Sequence, residues 1–230
     1  MIPLWDNVPR KRFPLVTLAV IVANCAVFLR EITVPAEQAG MVIQTFALIP
    51  ARTVGYLVGE PGSFNTSILT LLTSMFMHGG WMHLIGNMWF LWIYGDNVED
   101  RIGYGRYLLL YLAGGLAGGA AHVYFQPDSA VPTLGASGAI AAVMGAYLIT
   151  FPKARIFTLV PLLIFLVRWE LPAYVILIYW LVLQTFSGVA SLAAADSSMQ
   201  GGVAWMAHVG GFLAGIPLML LLRSQRRSGR

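Results

Sequence analysis

The chain has 230 residues, of which 58% are hydrophobic and only 10% charged, with a mean hydropathy of +0.73. Soluble domains carry about 25% charge, so a soluble globular protein is excluded, and the single cysteine, Cys25, excludes an internal disulfide. The net charge of +4 and pI of about 9.4 do not point to nucleic acid, because the positive residues are spread over loops and termini, where they read as topology signals.

Several apolar runs approach the roughly 20 residues that a bilayer requires. They read as an all-α polytopic membrane protein, a single membrane domain over 1–230 with six transmembrane helices. The first span, 13–29, follows Arg10, Lys11 and Arg12. No small-residue cleavage site ends it and Arg30-Glu31 follow directly, so it reads as a transmembrane helix and not as a signal peptide. Residues 32–66 are broken by Pro35, Pro50 and Pro61 but keep apolar stretches, which suggests a structured loop lying in the membrane interface. The second span, 68–94, contains His78, His83 and Asn87, and polar residues 95–105 follow it. The third, 107–125, carries Gly114, Gly115, Gly118 and Gly119 as a seam for tight helix contact. The loop 126–133 leads to the fourth, 136–151, which is short for a span. Residues 156–167 are apolar but number only about a dozen, contain Pro161 and are bracketed by Arg155 and Arg168, so they read as an interfacial or re-entrant segment. The fifth span is 172–192, with bulky side chains and almost no small residues before Gly188. It reads as loosely packed, a candidate lateral gate. The loop 193–202, the sixth span at 203–222 and a short basic tail, 223–230, complete the chain.

Of the 14 Lys and Arg residues, only Arg30 and Arg52 fall on the side opposite the termini, which places both termini in the cytoplasm. The second, fourth and sixth spans then run from outside to inside. Ser137 opens the fourth, His208 lies near the start of the sixth, and His83 and Asn87 lie early in the second. At about 1.5 Å per residue the four share one layer below the outer surface.

Ser137 sits in Gly135-Ala136-Ser137-Gly138, at the head of an apolar helix whose free N–H groups and dipole favour an anion. Small residues and a serine there also suit close packing or an N-cap. Polar residues within spans are costly, however, and four at one depth on three helices are hard to ascribe to packing. His208 is a plausible base for a Ser137 nucleophile. Gly138, Ala142 and Gly145 on one helix, with Gly210, Gly211, Ala214 and Gly215 on the other, allow close approach. His83 and Asn87, spaced i,i+4, share a helix face and both can donate to an oxyanion. His122 reads as a polar bridge or an interfacial residue, and His78 as a pin for its loop. Zinc held by His78, His83 and His208 is the rival reading. No HExxH is present and no acidic ligand lies within a span, so neither a metal nor a cofactor is expected. The same lack of a carboxylate makes any serine chemistry that of a dyad.

HGGWMHLIGN at 78–87, GASG at 135–138 and AHVGG at 207–211, in that order, resemble a rhomboid intramembrane serine protease over about residues 68–215. The resemblance implies Ser137 as nucleophile and His208 as base. It also implies Asn87, His83 and the Ser137 backbone N–H as oxyanion donors. Single-span membrane proteins in the bilayer would be the substrates, cut after a small residue. Glu99 and Arg101, in VEDRIG, match the family's structural turn after the second span. Ala141 is a departure, since some members carry an aromatic there against the histidine. The expected location is the bacterial plasma (inner) membrane, with the active site opening to the outer face. Two alternatives stand beside the protease. One is a catalytically silent relative that holds membrane clients. The other is a transporter, disfavoured by the lack of an inverted repeat and by the off-centre polar layer.

Overall fold

Residues 2–162, 165–193 and 204–223 are described by a computed structural model. Strand β1 (Ile2–Asp6) precedes helix α1 (Leu15–Glu31), and three short helices follow: α2 (Ala36–Phe46), α3 (Pro50–Leu57) and α4 (Phe64–Ser67). Then come α5 (Thr70–Thr73), a 3-10 turn (Ser74–Phe76), and the long helices α6 (Trp81–Ile102), α7 (Tyr104–Phe125) and α8 (Ser137–Thr150). Strands β2 (Arg155–Leu162) and β3 (Phe165–Pro172) lead to α9 (Ala173–Ala193) and α10 (Trp205–Leu222). The fold is thus mostly helical. Among the described residues, three helices are long and apolar enough to cross a membrane: α7, α9 and α10. The Phe64–Phe76 segment with α6 makes a fourth candidate, bent by 75° at the break. The expected loop at 193–202 and the basic tail fall mainly on residues 194–203 and 224–230, outside the described residues.

Two expectations are corrected. The all-α reading gives way to a three-stranded antiparallel sheet in the order β1-β2-β3. Of residues 156–167, read as interfacial or re-entrant, 156–162 and 165–167 belong to the paired strands β2 and β3, with Arg155 opposite Pro172 and Leu162 opposite Phe165. The partner strand β1 lies some 150 residues away in sequence, pairing Ile2 with Leu159 and Asp6 with Ile156. Side chains tie the three strands to one another and the sheet to α6. The Trp89 indole donates to the Pro3 carbonyl at 2.7 Å, and the Arg155 N–H donates to Asn7 Oδ1 at 2.8 Å. The Arg168 guanidinium stacks over Trp5 and Phe157, 4.9 Å from each ring. Burial pushes the Asp6 carboxyl up, opposed by hydrogen bonds from Tyr147, Val8 and Asn97.

The second correction concerns the span expected at 68–94. The apolar run hides a break at residues 77–80, where Met77 is extended and Gly79-Gly80 separate two helices, so His78 lies in the break and not within a helix. At the other end α6 continues through the polar residues to Ile102, because they have partners. Glu99, only 1% exposed, accepts hydrogen bonds from the Val16 N–H, Thr17 N–H and Thr17 hydroxyl at 2.6–2.8 Å. These are first-turn N–H groups of α1, which have no acceptor within their own helix and no side-chain N-cap. Glu99→Ala is expected to destabilise the protein by about 2–3 kcal/mol, seen as a lower Tm of the purified protein. An unchanged Tm would show that the start of α1 is held by other contacts.

The centre of the bundle is α8, almost wholly buried from Gly138 to Tyr147 and wrapped by α10, α7 and α6. Its neighbours approach to backbone contact. A Cβ on Gly211 would stand 2.1 Å from the Gly138 carbonyl oxygen, and one on Gly215 would stand 2.0 Å from that of Ala142. Without a hydrophobic force between helices in lipid, such small-residue contacts supply the association. By contrast α9 leaves Ile178, Tyr179, Val182, Leu183 and Phe186 exposed and packs mainly on α10.

Candidate active site

Ser137 is the first residue of α8 and its hydroxyl does not cap the helix. It lies instead 2.7 Å from Nε2 of His208, on the first turn of α10. The backbone contact at Gly211 is what brings the two helices within this reach. His208 is 8% exposed and Ser137 half-buried. Both line a cavity of about 920 Å³, shared with His83, Asn87, Trp180, Gln184 and Trp205.

Gly135 makes the turn into α8 with φ +131°, and a side chain there would stand 2.7 Å from His83 Nε2. The Gly135 N–H donates to Ser74 O at 2.8 Å. His83 and Asn87, one turn apart on α6, therefore border the same short segment two residues ahead of Ser137. The Gly79 N–H reaches His83 Nδ1 at 3.4 Å; with Nδ1 accepting, Nε2 is the N–H end of that ring. Asn87 Nδ2 is 3.0 Å from His78 Nε2. An amide nitrogen can only donate, so His78 accepts there and one Asn87 N–H stays free. First-turn N–H groups of α8, those of Ser137 and Gly138 included, have no acceptor within the helix. The four residues singled out from the sequence, Ser137, His208, Asn87 and His83, are thus brought together.

Three contributors escaped the sequence reading. Gln184, on α9, places Oε1 2.6 Å from His208 Nδ1. Trp180, one turn earlier, lies with its ring 5.8 Å from the imidazole. This is where support for His208 comes from, given Ala141. Glu31, at the end of α1, accepts the His78 N–H at 3.1 Å. The available signal for Gln184 was its amide in an otherwise apolar run. His78 itself pins the loop to α1 and α6, and His122 is a polar bridge, 2.9 Å from the Thr133 hydroxyl. Among the described residues no three His, Cys, Asp or Glu side chains are grouped as a metal site would require.

A model of the rhomboid domain family matches residues 65–225. The chain is 46% identical to Rhomboid protease GluP of Bacillus subtilis over 78 residues, 34% of this chain and 15% of that protein. It is 28% identical to Rhomboid protein 1, mitochondrial, of Saccharomyces cerevisiae over 157 residues, 66% of this chain and 41% of that one. With RHOMBOID-like protein 5 of Arabidopsis thaliana the identity is 32% over 162 residues, 67% of this chain and 45% of the relative. The match thus spans less than half the length of each of these relatives. The family model covers the helices from α5 through α10, and with them Ser137, His208, Asn87, His83 and Gln184: this integral membrane protein belongs to the rhomboid family.

Proposed function

We infer that the chain is an intramembrane serine endopeptidase that cleaves single-span membrane proteins within or beside their transmembrane segments. The observation that carries this is the 2.7 Å contact between Ser137 Oγ and His208 Nε2 at the wall of a roomy cavity. The Ser137 oxygen attacks the scissile carbonyl carbon while His208 Nε2 takes the hydroxyl proton. The oxyanion formed is held by the Ser137 N–H, by the Asn87 amide and by His83. The tetrahedral adduct then collapses, the protonated His208 gives its proton to the leaving amine, and an acyl-enzyme remains. Water, deprotonated by the same imidazole, hydrolyses it and restores Ser137.

In this reading α1, α6, α7, α8, α9 and α10 are six spans, and α2 to α4 lie in the interface. The 14 residues of α8 make a rod of about 21 Å, shorter than the roughly 30 Å hydrocarbon layer. Ser137 accordingly sits below the membrane surface, in reach of water only through the cavity above it. The weakly packed α9 is the side from which a substrate helix would be admitted. Both termini face the cytoplasm of a bacterial cell, and the site opens outward. Asp128, exposed in the loop between α7 and α8, reports this. With Cys25→Ser in place, Asp128→Cys is expected to react with an impermeant maleimide applied to intact cells. Reaction only after the membrane is opened would reverse the orientation.

The activity itself is tested by incubating the purified protein in liposomes with a panel of single-span substrates. The expected outcome is two fragments whose masses sum to the substrate plus one water. Uncleaved substrates throughout would favour the client-holding relative.

A further inference from the structure

The geometry points to Gln184 as the positioning residue of the site, a third member that fixes the tautomer and orientation of His208 from the gate helix α9. This rests on the reading of Ser137 and His208 as nucleophile and base. The Gln184 Oε1 is an acceptor only. At 2.6 Å from His208 Nδ1 it makes a hydrogen bond only if Nδ1 carries the proton. A neutral imidazole protonated at Nδ1 has its lone pair at Nε2, and Nε2 is the atom 2.7 Å from Ser137 Oγ. The serine hydroxyl is therefore the donor in that contact, the arrangement a general base needs. The opposite tautomer would leave Gln184 Oε1 facing a lone pair and would remove the base from Ser137.

The ring plane is fixed from the same helix. Trp180, one turn before Gln184, lies 5.8 Å from the imidazole and stacks on Phe212 of α10 at 6.0 Å. Ala141, one turn after Ser137 on α8, offers only a methyl group. The support therefore comes from α9, whose Ile178, Tyr179, Val182, Leu183 and Phe186 are exposed. Any outward movement of α9 that admits a substrate parts Oε1 from Nδ1, so the base is fully oriented only when α9 has closed again.

Because an amide is neutral, it orients the imidazole without the charge stabilisation that a carboxylate would add. That difference separates positioning from packing in a test on the full chain in liposomes. Gln184→Leu keeps the bulk and loses the acceptor. It is expected to lower kcat on the order of 10–10²-fold, the range for partners that orient a metal-binding histidine through its second nitrogen, with KM little changed. Gln184→Glu restores an acceptor at the same reach. It is expected to keep kcat near that of the wild type and to move the acid limb of the kcat/KM profile to higher pH, since a carboxylate favours the imidazolium. Wild-type kcat in Gln184→Leu would overturn the proposal. So would a Gln184→Glu protein that is as impaired as Gln184→Leu with an unmoved pH profile, the behaviour of a packing residue. If Gln184→Leu fails to fold, the pH profile of Gln184→Glu decides alone. The wild type and Ser137→Ala are measured alongside. Turnover that survives Ser137→Ala would defeat the Ser–His reading itself, whereas normal loss there with an insensitive Gln184 defeats only this inference.

Discussion

Ser137→Ala is expected to reduce turnover by about 10⁶-fold while leaving the fold intact. The size follows from chemistry: no other group at the site replaces the covalent nucleophile. The intact fold follows from structure. The Ser137 hydroxyl does not cap α8, and its hydrogen bond is to His208, so alanine disturbs no helix terminus in the most buried part of the bundle. His208→Ala should lose nearly as much activity, because base and nucleophile act as a unit and their losses do not add. It is the less clean variant. It also removes a ring packed by Trp180 and Trp205 and leaves Gln184 Oε1 without its donor, so some loss of Tm is expected beside the loss of rate. The double variant, assayed on one substrate with both singles, should be no slower than Ser137→Ala. Independent, multiplying losses would mean that the two residues do not work on the same step.

Asn87→Ala is expected to lower kcat by about 10²–10³, equivalent to roughly 3–4 kcal/mol of transition-state stabilisation. The loss is partial because His83 and the Ser137 N–H remain at the same side of the cavity. KM should change little, since the free Asn87 N–H serves charge that develops only after attack. The substitution has a second consequence. His78 Nε2 now accepts from Asn87 at 3.0 Å and His78 is buried, so its orphaned ring nitrogen should cost about 1–3 kcal/mol of stability. A fall in Tm with unchanged kcat would assign Asn87 to holding His78 and remove it from the oxyanion site. A fall in both Tm and kcat at fixed KM assigns it to both.

How far the molecule could be read from its sequence differs from element to element, and the reason is the range of the interactions that decide each one. Helices α7, α8, α9 and α10 begin and end within about three residues of the runs at 107–125, 136–151, 172–192 and 203–222, because hydropathy alone decides which residues leave water for lipid. The run at 68–94 misled at both ends. Hydropathy does not register the break at 77–80. Nor does it register that Asp96 pairs with Arg10 and that Glu99 accepts from the start of α1, contacts some 80 residues distant in sequence. The sheet was illegible for the same reason. In its hairpin β2 shows no alternation and β3 alternates only over residues 167–171, and its third strand comes from the first six residues of the chain.

The site divides in the same way. Ser137, His208, Asn87 and His83 stood out because a polar group in a span is expensive and must be accounted for. Gln184 is equally polar and was passed over. Its meaning lies in one contact with a helix 24 residues further on, and no local spacing announces it. Glu31 appeared only as the polar end of the first helix, although its carboxyl reaches the backbone of His78 across 47 residues. Ala141 left open what holds the imidazole, and the answer came from α9, a helix the sequence marked only as loose.

The central claim is that Ser137 is a nucleophile activated by His208. It is tested most directly by treating the purified protein with a serine-reactive fluorophosphonate and locating the adduct by peptide mass. The expected result is a single phosphonylated residue, Ser137, with the adduct lost in Ser137→Ala and strongly slowed in His208→Ala. An unmodified Ser137 in a preparation that cleaves its substrates, or labelling that persists undiminished in His208→Ala, would contradict it.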